Sequence, residues 1–183
     1  MTEKPSYLGL LNAISVAEGE AQRYLSVWAE TTDRDDVREV ISTIALREGE
    51  HSLAFAKRMC ELGYSVMERA DAKAEERLAV ASSRTLSDLE KFRCLGLGEA
   101  EVEGRPDVFA GMFGDTTIDI QTGALLGRYI AEERDSGRML RACREALECE
   151  ASAGDGRAPA GAGTDRLERI EQLLEQLVAK LGS

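Results

Sequence analysis

The sequence predicts an all-α protein, an up-down four-helix bundle in which a long crossover joins two helix pairs. Composition is the first reason: only three prolines and 5% aromatic residues occur among 183, and Ala, Leu, Glu and Arg are abundant. Such usage favours helix over sheet. Periodicity is the second, because apolar residues recur three and four positions apart in several long segments. The third is the short polar connection between the first two segments, which makes the two helices antiparallel neighbours.

Charge and motifs exclude several classes of protein. A net charge of −11 argues against nucleic-acid binding, which needs a concentrated basic surface. No apolar run approaches the roughly 20 residues of a membrane span, and the N-terminal stretch lacks the features of a signal peptide. The four cysteines include no Cys-x-x-Cys pair, which excludes a rubredoxin-type or zinc-ribbon site. We therefore expect a cytoplasmic protein with reduced cysteines and no nucleic-acid or membrane partner.

The first helix is predicted from Pro5 and Ser6 to about Glu30. Its apolar stripe contains one acid: Leu11, Ile14, Glu18, Ala21, Leu25 and Trp28. Glu18 falls within the stripe and Glu20 does not, so Glu18 is predicted to point inward and Glu20 to face solvent. Tyr24 is expected near the same position, as a core residue or as a radical or hydrogen-bonding residue.

The second helix, predicted over residues 35–62 with Gly63 as its C-cap, carries the most informative stripe. Its members are Ile41, Ile44, Glu48, His51, Phe55 and Met59. Residues three apart share one side of a helix, so Glu48 and His51 point together into the core. A buried Glu needs a partner, and a metal ion suits a Glu-x-x-His pair, the unit of di-iron and di-manganese bundles. Glu18 and Glu48 are both mid-helix, and antiparallel packing places them at about the same height.

The third helix has weak boundary signals in the sequence. Residues 64–83 are predicted to form a partly helical crossover, and the helix to begin near Thr85 and end at residues 95–98. Its stripe places Glu90 at mid-helix, with Glu99 and Glu101 as alternatives.

The fourth helix is predicted from a cap at Asp115 to about Glu148, in one of two registers. One register comprises Ile118, Leu125, Glu132 and Met139; the other comprises Leu126, Ile130, Glu133, Leu140 and Leu147. We favour Glu132 with Asp135, because their three-residue spacing copies that of Glu48 and His51, and Glu133 is the alternative.

The C-terminal part is predicted to be separate from the bundle, which spans residues 1–150. Residues 151–163 are rich in Gly and Ala and predict a flexible linker. Residues 164–183 carry leucines and an isoleucine at 3-4-3-4 spacing, about two heptads of a coiled-coil helix. So short a helix must dock on the bundle or pair with another copy.

Residues 13–24 (AISVAEGEAQRY) and 45–59 (ALREGEHSLAFAKRM) resemble the rubrerythrin branch of the ferritin-like superfamily. The resemblance covers about the first 60 residues, and the fourth helix by position only. It implies a ferritin-like bundle that holds two iron ions per chain, or manganese, with Glu18, Glu48 and His51 as ligands and Glu48 bridging the metals. It also implies reaction with peroxide or dioxygen, either peroxide reduction or ferrous oxidation.

The second half departs from the family, which has a further Glu on the third helix and a second Glu-x-x-His on the fourth. His51 is the only histidine here, and Asp135 stands where the second would be. A carboxylate can replace imidazole as a ligand of iron or manganese. The complete predicted metal set is Glu18, Glu48, His51, Glu90, Glu132 and Asp135. Without a rubredoxin domain a peroxidase would need an external electron donor, and we expect a homo-oligomer, a dimer through the bundle or the C-terminal helix.

The alternative hypothesis is a metal-free scaffold that keeps the fold without the chemistry and oligomerises through its C-terminal helix. In that case the central acids would pair with Arg47, Arg93 or Arg128, as buried Glu–Arg pairs do in other proteins. Metal content distinguishes the two hypotheses.

Overall fold

The computed structural model describes residues 4–68, 71–99, 109–111 and 114–155. Within these ranges the chain forms five helices and no strand, which confirms the all-α class. The helices are α1 Leu8–Thr31, α2 Asp35–Glu61, α3 Ala74–Ser82, α4 Asp88–Leu95 and α5 Ile120–Asp155. None of these described helices is long and apolar enough to cross a membrane. The chain divides into two units, Met1–Leu147 and Glu148–Ser183, and the described part of the second unit is the end of α5.

α1 and α2 form an antiparallel pair with bounds close to the predicted ones. Asp35 and Asp36 occupy the first turn of α2, where carboxylates interact favourably with the helix dipole. Midway along the pair, Ser15 Oγ donates to the Ser52 carbonyl at 3.0 Å and Ser52 Oγ donates to the Ser15 carbonyl at 2.8 Å. This reciprocal exchange fastens the two helices together at the level of the predicted acids.

Two glycines allow α1 and α2 to approach closely beside this serine pair. A Cβ added at Gly19 would lie 3.1 Å from Ser52 Oγ, an atom held in place by its hydrogen bond. A Cβ added at Gly49 would also lie 3.1 Å from its nearest neighbour, but that neighbour is Cγ of the exposed and flexible Gln22. The two positions therefore differ in how well they could accept a side chain.

α5 runs antiparallel to α2. Near the start of α5, Arg58 Nε donates to Thr122 Oγ1 at 2.8 Å, and further along Arg47 Nη1 donates to Ser136 Oγ at 3.2 Å. As residue numbers rise on α5 they fall on α2, so the middle of α5 passes the middle of α2.

Both ends of α5 differ from the prediction. Asp119 caps the helix by accepting hydrogen bonds from the backbone N–H groups of Gln121 and Thr122, each at 3.0 Å. The predicted cap, Asp115, instead bonds Ser6 and Thr117 in the preceding turn. At the other end residues 151–155 continue the helix, which corrects the predicted start of the linker. The rest of the linker and the C-terminal helix lie outside the described residues.

The predicted crossover and the predicted third helix each contain one short helix. α3 lies within the predicted crossover, and α4 has only eight residues because Gly96 ends it in the left-handed conformation, with φ 66°. Phe92 of α4 packs edge-on against Trp28, with ring centroids 4.9 Å apart. The buried Lys91 donates to Thr31 Oγ1 and to the Ala81 carbonyl, both at 3.0 Å, and so ties α4 to α1 and α3.

The buried apolar side chains form two clusters. The Trp28 cluster includes Leu25, Trp28, Ile41, Ile44, Phe92 and Leu140. The Phe55 cluster includes Leu11, Ile14, Phe55, Met59, Leu126 and Ile130. On α1, α2 and α5 the residues between the two clusters include the predicted acids and His51, so a polar layer lies between two apolar regions.

Candidate metal centre

Four side chains from three helices converge in the polar layer. α1 contributes Glu18, α2 contributes Glu48 and His51, and α5 contributes Glu133; one ligand atom from each lies within 4.8 Å of the other three. We call these residues the Glu48 cluster. The exposed fraction is 6% for Glu18 and Glu48 and 4% for His51, whereas the Glu133 side chain is 22% exposed, so three of the four members are shielded from solvent.

His51 is held with one nitrogen facing the cluster and the other facing away. Its Nε2 lies 2.7 Å from Glu132 Oε2. Partial burial of Glu132 raises the pKa of that carboxyl, but hydrogen bonds from His51 and Arg128 outweigh burial and lower it. Glu132 is therefore ionised and can only accept, so Nε2 carries the hydrogen. Nδ1 lies 3.6 Å from Glu18 Oε2 and 3.4 Å from Glu133 Oε1 and is the nitrogen available to a ligand.

Three buried polar atoms of the Glu48 cluster lack a hydrogen-bond partner within the described part of the chain: Glu18 Oε2, His51 Nδ1 and Glu133 Oε1. Unsatisfied buried polar atoms are costly and uncommon in folded proteins. These three face one another, so a single cation among them would satisfy all three.

Arginines pair with two acids that lie beside the Glu48 cluster. Arg128 Nε donates to Glu132 Oε1 at 2.9 Å, and Arg47 Nη1 lies 2.8 Å from Asp135 Oδ2. Among the residues that the structure describes, no lysine or arginine forms an ion pair with a member of the cluster. Within the described part of the chain, the Glu–Arg pairs expected for a metal-free scaffold are therefore found around the cluster and not among its members.

The pKa shifts indicate which groups of the cluster hold protons in the metal-free chain. Burial, together with the neighbouring carboxylates of Glu18 and Glu133, raises the pKa of Glu48 to about 10. The pKa of Glu18 lies below its ordinary value. Burial alone would raise this pKa, but hydrogen bonds with His51, Glu48 and Tyr129 have the larger effect. For His51, burial lowers the pKa, yet the surrounding glutamates raise it to about 10. Without a metal the cluster therefore retains protons on Glu48 and His51.

Two tyrosines adjoin the cluster. Tyr129 OH donates to Glu18 Oε1 at 2.9 Å, and its ring meets the His51 and Phe55 rings edge-on at 5.0 and 5.3 Å. Burial and the cluster carboxylates raise the pKa of Tyr129 and that of Tyr24, the latter to about 12. Both phenols are therefore neutral, and Tyr129 leaves the other oxygen of Glu18 directed at the cluster.

The structure brings together three of the six predicted metal residues and places the other three outside the Glu48 cluster. Glu132 bonds the outward nitrogen of His51. Asp135, whose side chain is 41% exposed, pairs with Arg47 and Arg138, because it lies on the outer side of α5. Glu90 is exposed at the start of α4, where its Oε2 accepts from Ser87 N and Oγ, both at 2.7 Å, in a capping box.

The alternatives left open by the sequence are also placed. Glu133 joins the cluster, whereas Glu99 is exposed and Glu101 lies outside the described residues. Tyr129 was not predicted, although it stands four residues before Glu133 and one before Ile130, on the buried side of α5.

Three carboxylates and one imidazole form a donor set that suits iron or manganese. The separation of the ligand atoms, their burial and the unsatisfied oxygens and nitrogen all fit a bound cation. The chain matches no protein-family model, no curated protein and no solved structure. The likeness to rubrerythrins therefore rests on the quoted residues.

Proposed function

We propose that the chain is a rubrerythrin-like, non-haem metal–carboxylate protein that binds iron or manganese and reacts with peroxide or dioxygen. The observation that carries the proposal is the convergence of three unsatisfied buried atoms, Glu18 Oε2, His51 Nδ1 and Glu133 Oε1, beside Glu48. A ferritin-like bundle as the fold belongs to the same proposal.

The four residues of the Glu48 cluster would hold one ion together. Ligand atoms on opposite sides of an ion with bonds of about 2.1 Å are about 4.2 Å apart, close to the separation seen here. The second ion that the resemblance implies would have to share the remaining carboxylate oxygens, with Glu48 as the bridge. Charge permits this, because three carboxylates carry −3 and two divalent cations carry +4.

The chain's own residues set up the chemistry. Glu132 orients the imidazole, as outer carboxylates do for metal-bound histidines, and Tyr129 orients Glu18. The apolar clusters above and below exclude bulk water. Bound ferrous iron would supply the electrons for reducing hydrogen peroxide, in which two electrons and two protons convert one peroxide into two water molecules. Repeated peroxide reduction needs an external electron donor, and a homo-oligomeric state and a cytoplasmic location remain predictions.

The second candidate is the metal-free scaffold, which one observation favours. With a proton on Glu48 and a charged His51, one carboxyl of the cluster is neutral and the imidazole supplies one positive charge. Protons can thus partly replace a cation, and a chain that never binds metal could fold in this form.

Metal content measured by mass spectrometry after iron- and manganese-supplemented expression separates the candidates. The wild-type chain should contain at least one equivalent, and the double variant His51→Ala/Glu48→Ala should contain none. Glu90→Gln is the matched control, since it removes an exposed acid from the original set and should leave metal content unchanged. A metal-free wild-type chain, after attempted reconstitution without oxygen, would refute the metal proposal in favour of the scaffold.

The chemistry is tested on the loaded protein by the rates of peroxide consumption and ferrous oxidation. The wild type should exceed the double variant at equal protein concentration. Equal rates would show that the bound metal is structural.

A further inference from the structure

A small cavity lies between α2 and α5 beside the Glu48 cluster. It is lined by Glu50, His51, Ala54, Leu125, Arg128 and Tyr129. Its volume is about 30 Å³, enough for about one or two water molecules. Its inner wall includes the buried His51, and its outer wall includes Glu50 and Arg128, which are exposed. The cavity therefore extends from the protein surface to a side chain of the cluster.

One guanidinium crosses the mouth of this cavity. Arg128 Nη2 donates to Glu50 Oε2 of α2 at 3.3 Å, while its Nε donates to Glu132 Oε1 of α5. The side chains of Arg128 and Glu50 are 62% and 69% exposed. An ion pair so exposed is weak, so the bond between Arg128 and Glu50 can open without disturbing the fold.

The walls behind the mouth set a size limit. Ala54 of α2 and Leu125 of α5 are both half-buried and line the cavity from opposite helices. Ala54 is the smallest side chain of the lining, and a larger one there would fill the space. Space for one or two water molecules suits dioxygen or hydrogen peroxide, which have two heavy atoms each, but is too small for an organic hydroperoxide with a branched alkyl group.

We propose that this cavity is the entrance by which a two-atom oxygen species, dioxygen or hydrogen peroxide, reaches the Glu48 cluster, and that Ala54 and Leu125 exclude larger oxidants. The inference rests on the proposed function for its biological meaning. The access that it describes is a property of the metal-free chain and can be tested without metal.

The test uses the single histidine and the single tryptophan of the chain as reporters. Full-length, metal-free protein labelled with ¹³C in both residues gives one imidazole and one indole signal set by NMR. Dissolved dioxygen is paramagnetic and broadens the signals of nuclei that it approaches. We expect dioxygen to broaden the His51 signal more than that of Trp28, which is equally buried in the Trp28 cluster. A bulky nitroxide should broaden neither signal.

Ala54→Leu, which fills the cavity from α2, should reduce the broadening of His51 by dioxygen about tenfold. Ala56→Leu is the matched control, because Ala56 is on the same helix but does not line the cavity, and it should have no effect. Leu125→Phe fills the cavity from α5 and replaces Ala54→Leu if circular dichroism shows that the latter is unfolded. Equal broadening of His51 and Trp28, or broadening that survives both filled variants, would overturn the entrance.

Loaded protein gives a second, independent outcome. Hydrogen peroxide should oxidise the bound metal at least about tenfold faster than tert-butyl hydroperoxide, and Ala54→Leu should slow the former with unchanged metal content. A protein that binds metal but reacts equally fast with both oxidants refutes the entrance and leaves the metal proposal standing. If the protein fails to bind metal, but Ala54→Leu still reduces the broadening of the His51 signal by dioxygen, the entrance is supported and the proposed function is refuted.

Discussion

Replacing Glu132 and Glu133 by glutamine, one at a time, should weaken metal binding by very different amounts. The two residues are adjacent in the chain, yet Glu133 offers a buried oxygen to the Glu48 cluster, whereas Glu132 bonds the outward nitrogen of His51. Glutamine keeps the shape of the side chain and removes its charge, so each variant tests one role.

The magnitudes follow from these contacts. Removing an outer carboxylate lowers metal affinity about 10- to 100-fold. We expect a loss of affinity at the lower end of this range for Glu132→Gln, because the Glu132 side chain is 29% exposed and its charge is partly offset by its ion pair with Arg128. For Glu133→Gln a ligand is lost. If roughly 10–16 kcal/mol of binding energy is divided among four ligands, each contributes about 3 kcal/mol, which is more than 100-fold.

The assay is titration of the metal-free protein with Mn²⁺, with free Mn²⁺ followed by its EPR signal. Imidazole NMR of His51 in the metal-free proteins, before Mn²⁺ is added, should show a shifted Nε2–H in Glu132→Gln and an unshifted one in Glu133→Gln. Asp135→Asn is the control and should bind as the wild type does. If Glu132→Gln abolished binding and Glu133→Gln left it intact, the assignment of the inner and outer carboxylates would be refuted.

Three further predictions concern stability. First, the folded metal-free chain holds protons on Glu48 and His51 up to about pH 10, while the unfolded chain loses them near 4.5 and 6.5. Both groups therefore stabilise the fold at low pH and lose that contribution as pH rises, by up to about 1.4 kcal/mol per pH unit for each proton. Urea unfolding at pH 6 and 9 measures this change in the free energy of unfolding. Greater stability at pH 9 would contradict the prediction. Second, Mn²⁺ at about 100 times its Kd should raise the free energy of unfolding by about 2.7 kcal/mol in the wild type and not in His51→Ala. Third, Gly49→Ala should raise stability by about 0.5–1 kcal/mol, because helix propensity improves and the neighbouring Gln22 side chain can move, whereas Gly19→Ala should lower stability, because Ser52 Oγ is fixed. Thermal melts of the two variants test this, and a higher melting temperature for Gly19→Ala than for Gly49→Ala would contradict the prediction.

The sequence predicted α1 and α2 well because local signals and packing agree there. The stripe through Glu18 and the stripe through Glu48 and His51 both have one unambiguous apolar face, and both faces are buried in the structure. A short connection then leaves one arrangement for the two helices. Three of the four residues of the Glu48 cluster follow from those facts alone.

α5 shows why the sequence favours Glu132, whereas the structure places its neighbour Glu133 in the Glu48 cluster. Its two registers differ by one residue, and the three-residue spacing of Glu132 and Asp135 favours the first of them. The buried side chains belong to the other register, with Leu126, Ile130 and Leu140. That register has more large apolar residues, so counting apolar positions would have favoured Glu133.

The position of the third helix could not be predicted from the sequence because two local signals disagree about where the helix begins. Ser87 and Glu90 form a capping box, which marks the start of a helix, whereas the apolar stripe predicts that Glu90 lies in the middle of a helix. Gly96 then ends the helix after two turns. The acid therefore belongs to the helix terminus and to solvent, and only the capping pattern distinguishes this from a buried position.

The polar layer between the Trp28 and Phe55 clusters also determines how the helices are aligned along their axes. Sliding α5 by one helical turn, about 5.4 Å, would move Glu133 away from His51 and bury it against apolar side chains. Purely apolar faces tolerate such a shift far better, because one leucine contact resembles the next. A buried polar position can fix register in this way, as a single asparagine does in coiled coils. The same four side chains that could hold an ion thus leave the long helices a single axial alignment.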